Sequence, residues 1–225
     1  MDSTDVKDFF ERVSTEWDDM RSSFYNAGVI DALADHAQIG SATSVVDVGP
    51  GTGFIAAGLA GNAASVIGVD NSPAMLAVAA ENLAALGATN VALLRGEVQD
   101  LPLPDDSADA AVANMVLHHA PDPAAMLTEM ARVVRPGGKI AITDEVTHTY
   151  EWMHTEQADL WLGFTPEQVD TFFTQARRKH RHLRRMGNRA QLKMMRTPAL
   201  LSHTWRKPTH PTWWPRGPRR SAEPW

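Results

Sequence analysis

The spacing of apolar residues changes twice along the chain, and each change marks a different kind of element. Over the first forty residues the period is helical. Phe9, Phe10, Val13 and Trp17 recur on one face, and a second amphipathic stretch covers residues 24–37. From Ser44 the pattern becomes short β-branched runs. Residues 44–48 read as a buried strand that ends in a glycine loop, with a helix over 54–60 behind it. The alternation then repeats. Residues 65–70, 91–94, 108–113 and 139–143 read as strands. Ser72-Pro73 and Asp122-Pro123 open helices with a cap residue followed by proline; Gly87 closes the first, and Pro136-Gly137-Gly138 stops the second. Strands alternating with helices of this length predict an α/β fold, a Rossmann-like, doubly wound and mostly parallel sheet behind an N-terminal helical lid. Residues 150–164 are predicted helical, and Thr165-Pro166-Glu167 opens a last helix to about residue 176.

After residue 176 the pattern fails, and composition becomes the better guide. Residues 1–175 hold 7 Lys+Arg against 26 Asp+Glu, whereas the last fifty residues hold 14 basic residues, six prolines, four tryptophans and one acid, Glu223. The net charge of −6 therefore conceals two opposite halves. This predicts three regions: a helical lid over 1–40, a ligand-binding domain over 41–176, and a basic tail over 177–225 in place of the sheet's last strands. Three readings compete for the tail: a segment that binds RNA through arginines and stacking tryptophans, a disordered appendage, or the translation of a shifted reading frame. The abruptness of the change favours the third. The chain has no cysteine, which excludes disulfides, thiolate metal sites and thiol nucleophiles. No apolar run is long enough to span a bilayer, and the acidic start is unlike a secretory signal. The expectation is a cytoplasmic protein without membrane contact.

The candidate chemistry lies where strands end. The loop Asp47-Val48-Gly49-Pro50-Gly51-Thr52-Gly53 joins a strand to a helix, where glycines allow a tight turn and free amides face a ligand. The dinucleotide fingerprint needs a glycine where this chain has Phe54, so that reading fails. A bare glycine turn without a ligand is the alternative. Three further residues favour a ligand with a ribose and a base. Asp70 ends the second strand, where a carboxylate can accept two ribose hydroxyls. Glu97 follows the third strand and Asn114 the fourth, so the sheet gathers all three along one edge.

Taken with Gly68-Val69-Asp70-Asn71-Ser72-Pro73, Leu101-Pro102-Leu103, Val116-Leu117-His118-His119 and Arg135-Pro136-Gly137-Gly138, the loop makes the chain resemble the class I S-adenosylmethionine-dependent methyltransferases. Within them it resembles the ubiquinone/menaquinone-biosynthesis branch, the type 11 methyltransferase domain, over roughly residues 8–176. The resemblance implies S-adenosylmethionine as cofactor. It implies that Gly49, Gly51 and Gly53 pass close to the methionine part and that Asp47 supports its amino group through the loop. It places Asp70 at the ribose, Asn71 among the cofactor-binding residues, Glu97 and the Val98 amide at the adenine, and Asn114 near the transferring methyl. Phe10, Trp17 and Tyr25 would lie on helices that close over the cofactor, or would simply pack in the core.

Methyl transfer from a sulfonium chiefly needs positioning and exclusion of water, so a base is optional. His118, His119 and Glu145 are the candidate catalytic groups; structural packing is the competing role for the two histidines. Tyr25, His148, Trp152 and Trp161 are candidates for a substrate pocket, with core packing as the alternative for the aromatics. No metal is expected, because the ligand spacing is loose and cysteine is absent. Thr143-Asp144-Glu145, Glu151-Trp152-Met153 and the stretch from Ala158 to Phe164 resemble bacterial methyltransferases associated with ArsR-type regulators. That raises metalloid methylation, but arsenite methyltransferases use cysteine thiolates, which this sequence lacks. The expected function is methyl transfer to a small-molecule acceptor. The alternatives are an RNA-binding methyltransferase that uses the tail, and a cofactor-binding protein of impaired activity.

Overall fold

The computed structural model describes residues 2–22 and 24–179 of the 225. Its five strands are β1 (Ser44–Val48), β2 (Ser65–Asp70), β3 (Val91–Arg95), β4 (Ala108–Asn114) and β5 (Val134–Thr143). All pair in parallel in the order β3-β2-β1-β4-β5. The chain moves outward one way from β1 to β3, then returns to β1's other side with β4. The crevice between β1 and β4 is therefore the switch point where α/β sheets bind ligands.

Alternation along the strands divides the core into two layers. Val45, Val66, Ala110, Val112 and Ala141 face α3 (Gly28–Ala37) and α4 (Phe54–Ala60), meeting Val29, Leu33, Ile55 and Leu59. Val46, Val48, Ala111, Ala113 and Ile142 face the other way, onto α6 (Pro123–Val133) and α8 (Pro166–Lys179) through Met126, Leu127, Met130 and Val169. This period of two, buried on both faces, is what a parallel sheet requires. Each fully buried Val, Leu, Ile or Met contributes about 1.5–3 kcal/mol, so a charge at Val112 would break the sheet where it is driest.

Side-chain caps set the helix starts. Ser72 Oγ accepts the Met75 amide at 3.1 Å ahead of Pro73 and opens α5 (Pro73–Ala85). Asp122 Oδ1 accepts the Ala125 amide at 3.0 Å ahead of Pro123 and opens α6. Asp2 and Asp5 form a reciprocal capping box at the start of α1 (Ser3–Val13).

Three boundaries differ from the sequence reading. The first apolar face breaks after Val13, and Trp17 opens a separate short helix, α2 (Trp17–Arg21). β5 begins at Val134, five residues early. It pairs Ala108 with Val134, shifts register, and resumes at Ala110–Lys139, so Pro136-Gly137-Gly138 is an irregularity inside a strand rather than a stop before one. The helix predicted over 150–164 is only α7 (Trp152–Glu156). Ala158 and Gly163 take left-handed backbone (φ 62° and 70°), which no helix accommodates. The amides of Leu160 and Trp161 bond instead to the His118 carbonyl, and that of Phe164 to the Glu145 carbonyl. Residues 157–164 are thus a loop laid over the ends of β4 and β5. The predicted tail lies outside the described residues apart from its first three positions, which continue α8.

Candidate functional site

A cavity of about 340 Å³ opens at the switch point, between the carboxyl edge of the sheet and the N-terminal helices. Its size is that of a small-ligand site.

The glycine loop forms its floor. Gly49 sits at φ 70°, its amide bonded to the Val69 carbonyl at 2.9 Å; a Cβ there would lie 2.5 Å from Val116 Cγ2. Only glycine lets the loop pass that close to β4. The Gly51 amide donates to Asp70 Oδ2 and the Ser72 amide to Asp70 Oδ1, each at 3.0 Å. Burial raises the Asp70 carboxyl against the pull of these amides. The two bonds fix the carboxylate at the cavity wall and leave lone pairs for a ligand. Beyond it, Asn71 Nδ2 donates to Glu97 Oε2 at 3.0 Å.

Gly49, Gly51, Asp70, Asn71, Glu97, Val98 and Asn114 all line this cavity. Asp47 and Gly53 do not. Gly53, at φ 87°, precedes α4, where a Cβ would stand 3.2 Å from that of Ala79. Asp47 lies beneath the loop with both carboxylate oxygens buried and unpartnered. Burial, then the Asp70 charge, pushes its pKa up to about 7. Asn114 Oδ1 accepts the Thr143 hydroxyl at 2.7 Å, which fixes the amide at the end of β4.

The roof is aromatic. Phe10 stands edge-on to Trp17 (5.2 Å) and to His119 (4.9 Å), and all three line the cavity. Tyr25 lines it too and packs on Phe54 at 5.8 Å. Burial foremost raises its phenol, aided by the charges of Asp18 and Asp47. Asp18, a residue the sequence reading missed, clasps roof to floor. Its Oδ1 accepts Thr52 Oγ1 and Arg21 Nε, each at 2.7 Å, and its Oδ2 accepts Asn82 Nδ2 at 3.3 Å. The Arg21 guanidinium also lies 3.7 Å over the Phe54 ring. Nothing in the periodicity marks Asp18, because two of its three partners, Thr52 and Asn82, lie on the loop and on α5.

The other predicted residues lie to one side. Of the three candidate catalytic groups, only His119 reaches the cavity wall; His118 and Glu145 are buried behind it. Burial and the neighbouring His118 charge hold His119 well below the ordinary imidazole value, so its ring is neutral near pH 7. Burial acts on His118 in the same direction. Asp144, whose Oδ1 lies 2.7 Å from His118 Nδ1, overrides it together with Asp159 and Glu145, and raises His118 to about 10. Of the four pocket candidates, Tyr25 lines the cavity and His148, Trp152 and Trp161 do not. Trp161 Nε1 donates to the Ala120 carbonyl at 2.9 Å and its ring packs against the core. His148 Nε2 is bonded to Glu145 at 2.9 Å.

The sequence predicts no metal-binding group, yet among the described residues the fold gathers two sets whose candidate ligand atoms lie within 4.8 Å of one another. These are His118, His119 and Asp159, and Glu145, His148 and Asp159. Asp159 was the unforeseen member. The loop that replaces the predicted helix brings it there.

Comparison with known proteins agrees with this geometry. Residues 46–142 match the methyltransferase domain family. The chain is 36% identical over 138 residues to an arsenite methyltransferase of Halobacterium salinarum, covering 54% of this chain and 35% of that protein. It is 43% identical over 101 residues to a demethylmenaquinone methyltransferase of Shouchella clausii, covering 44% and 43%. The match thus spans less than half the length of either relative. A SAM-dependent methyltransferase from Aquifex aeolicus superposes with a TM-score of 0.58 at 22% identity, over 78% of this chain and 88% of that one, a likeness of fold. Residues 46–142 thus match the methyltransferase domain family, and the described chain has the Rossmann-like fold of its solved structural neighbours.

Proposed function

We propose that the protein uses S-adenosylmethionine to methylate a small, largely apolar acceptor. One observation carries this reading: Asp70 is pinned by two backbone amides at the wall of the switch-point cavity, with Glu97 one strand further along the same edge. A ribose diol and an adenine amine are the groups this pair suits. The cofactor, when bound, supplies a methyl group already activated by the sulfonium. Everything else falls to the chain. Asp70 and Asn71 hold the ribose, Glu97 and the Val98 amide read the base, and the loop at Gly49 and Gly51 admits the methionine part. Asp47 supports the loop from below. Phe10, Trp17 and Tyr25 exclude water from the roof. His119 presents a neutral ring beside them, where it can orient an acceptor hydroxyl.

The apolar roof and the quinone-type relative favour an aromatic or isoprenoid acceptor. The arsenite relative favours a metalloid, but these 225 residues offer no thiolate to hold one. The test is to incubate the full chain with methyl-labelled S-adenosylmethionine and a panel of hydroquinones and phenols. The account expects label in an organic-soluble product. Label in RNA alone would instead favour the tail reading, and cofactor binding without any transfer would favour a protein of impaired activity.

A further inference from the structure

Behind His119 the fold has built a second polar centre that cofactor binding does not explain. We propose that His118, His119 and Asp159 form a binding site for a divalent transition-metal ion of the zinc class, adjoining the methyl-transfer cavity through His119.

Spacing is the first argument. His118 Nε2 lies 3.7 Å and His119 Nδ1 3.9 Å from Asp159 Oδ1. These distances are too long for hydrogen bonds. They are close to the separation of about 3.3 Å that two ligands take on a tetrahedral ion with bonds of about 2.0–2.1 Å. Candidate donor atoms in each set lie within 4.8 Å of one another.

Unmet bonding capacity is the second argument. Asp159 is 1% exposed, and neither of its carboxylate oxygens has a hydrogen-bond partner; Glu145, 2% exposed, leaves Oε1 equally unpartnered. Buried polar atoms rarely go without hydrogen-bond partners, so an ion ligated by Asp159 would meet bonding capacity that the protein leaves unfilled.

Outer-sphere support is the third. His118 Nδ1 is engaged by Asp144 Oδ1 at 2.7 Å, which leaves Nε2 as the nitrogen on the Asp159 side, and ligation there displaces its proton. Asp144 is itself fixed by the amides of Leu117 (2.8 Å) and Glu145 (2.9 Å). A carboxylate that orients the far nitrogen of a ligating imidazole is the usual second layer of a zinc site. His119 Nδ1 sits 3.1 Å from the Ala158 carbonyl, and ligation replaces that hydrogen bond. Two imidazoles and a carboxylate suit zinc and its first-row neighbours better than magnesium or calcium, which prefer all-oxygen sites.

Chelator-stripped full-length protein titrated with Co²⁺ tests this, followed by competition with Zn²⁺. Wild type should bind one equivalent with visible d–d absorption that Zn²⁺ abolishes, and Zn²⁺ should raise its melting temperature. Asp159→Asn and His118→Gln should each weaken Co²⁺ binding at least about 100-fold. No saturable absorption in wild type overturns the proposal. So does wild-type affinity in both variants, since the ion would then sit elsewhere. Should the variants fail to fold, anomalous diffraction at the zinc edge from soaked wild-type crystals decides. A peak within bonding distance of Asp159 and both histidines supports the site, and a peak elsewhere or none refutes it.

Discussion

Asp70 ends β2 and Asp144 follows β5, so both stand on the carboxyl edge of one sheet, and both are held by backbone amides. Their surroundings differ. After Asp70 the chain turns directly into α5 through the Ser72 cap, and the carboxylate stays at the wall of an open cavity. After Asp144 the chain crosses back over the edge: the loop over 157–164 bonds to the His118 and Glu145 carbonyls, and the Asp144 carboxylate is buried against His118. The same strand-end chemistry thus yields a ligand-facing group on one side of the switch point and a closed ionic cluster on the other. What decides between them is the path of the chain after the strand.

The largest effect should come from opening the closed side. Asp144→Ala strips His118 and two buried amides of their partner, and breaking a buried ionic contact from one side costs about 3–5 kcal/mol. Chemical denaturation should register that loss. A variant within about 1 kcal/mol of wild type would mean that the cluster is not the structural tie described here.

A smaller effect of opposite sign belongs to the open side. Asp47 carries no hydrogen-bond partner, and burial raises its pKa to about 7 in the folded chain, against about 4 when unfolded. Between those values the folded state holds the extra proton, so Asp47 makes stability fall as pH rises, levelling above pH 7. Asp47→Asn removes this dependence. The variant should gain on wild type by about 2–3 kcal/mol between pH 5 and pH 8. A constant difference across that range would show that the carboxylate stays ionised under the loop.

The open side was the more legible in sequence, for a physical reason. β1 and β2 show their full lengths as β-branched runs, and Ser72-Pro73 announces the next helix, so Asp70 could be placed on the edge by counting. Gly49 was readable because a loop passing this close to β4 tolerates no side chain. The closed side was not readable. Trp152, Trp161 and Phe164 mimic a helical stripe, but left-handed backbone at Ala158 and hydrogen bonds to His118 and Glu145 override that local preference. Asp159 reaches the histidines only through that loop, and Asp18 reaches Thr52 only through the packing of the lid. Contacts of this kind are tertiary and leave no period in the chain.

The central claim is that Asp70 and the loop above it hold S-adenosylmethionine. Isothermal calorimetry of the full chain with S-adenosylmethionine and its demethylated product, in wild type and Asp70→Ala, tests it most directly. The account predicts one site for each ligand in wild type and a loss of at least about 100-fold in the variant, two charge-assisted hydrogen bonds at about 1.5–3 kcal/mol each. An absence of binding in wild type, or equal affinity in Asp70→Ala, would contradict it.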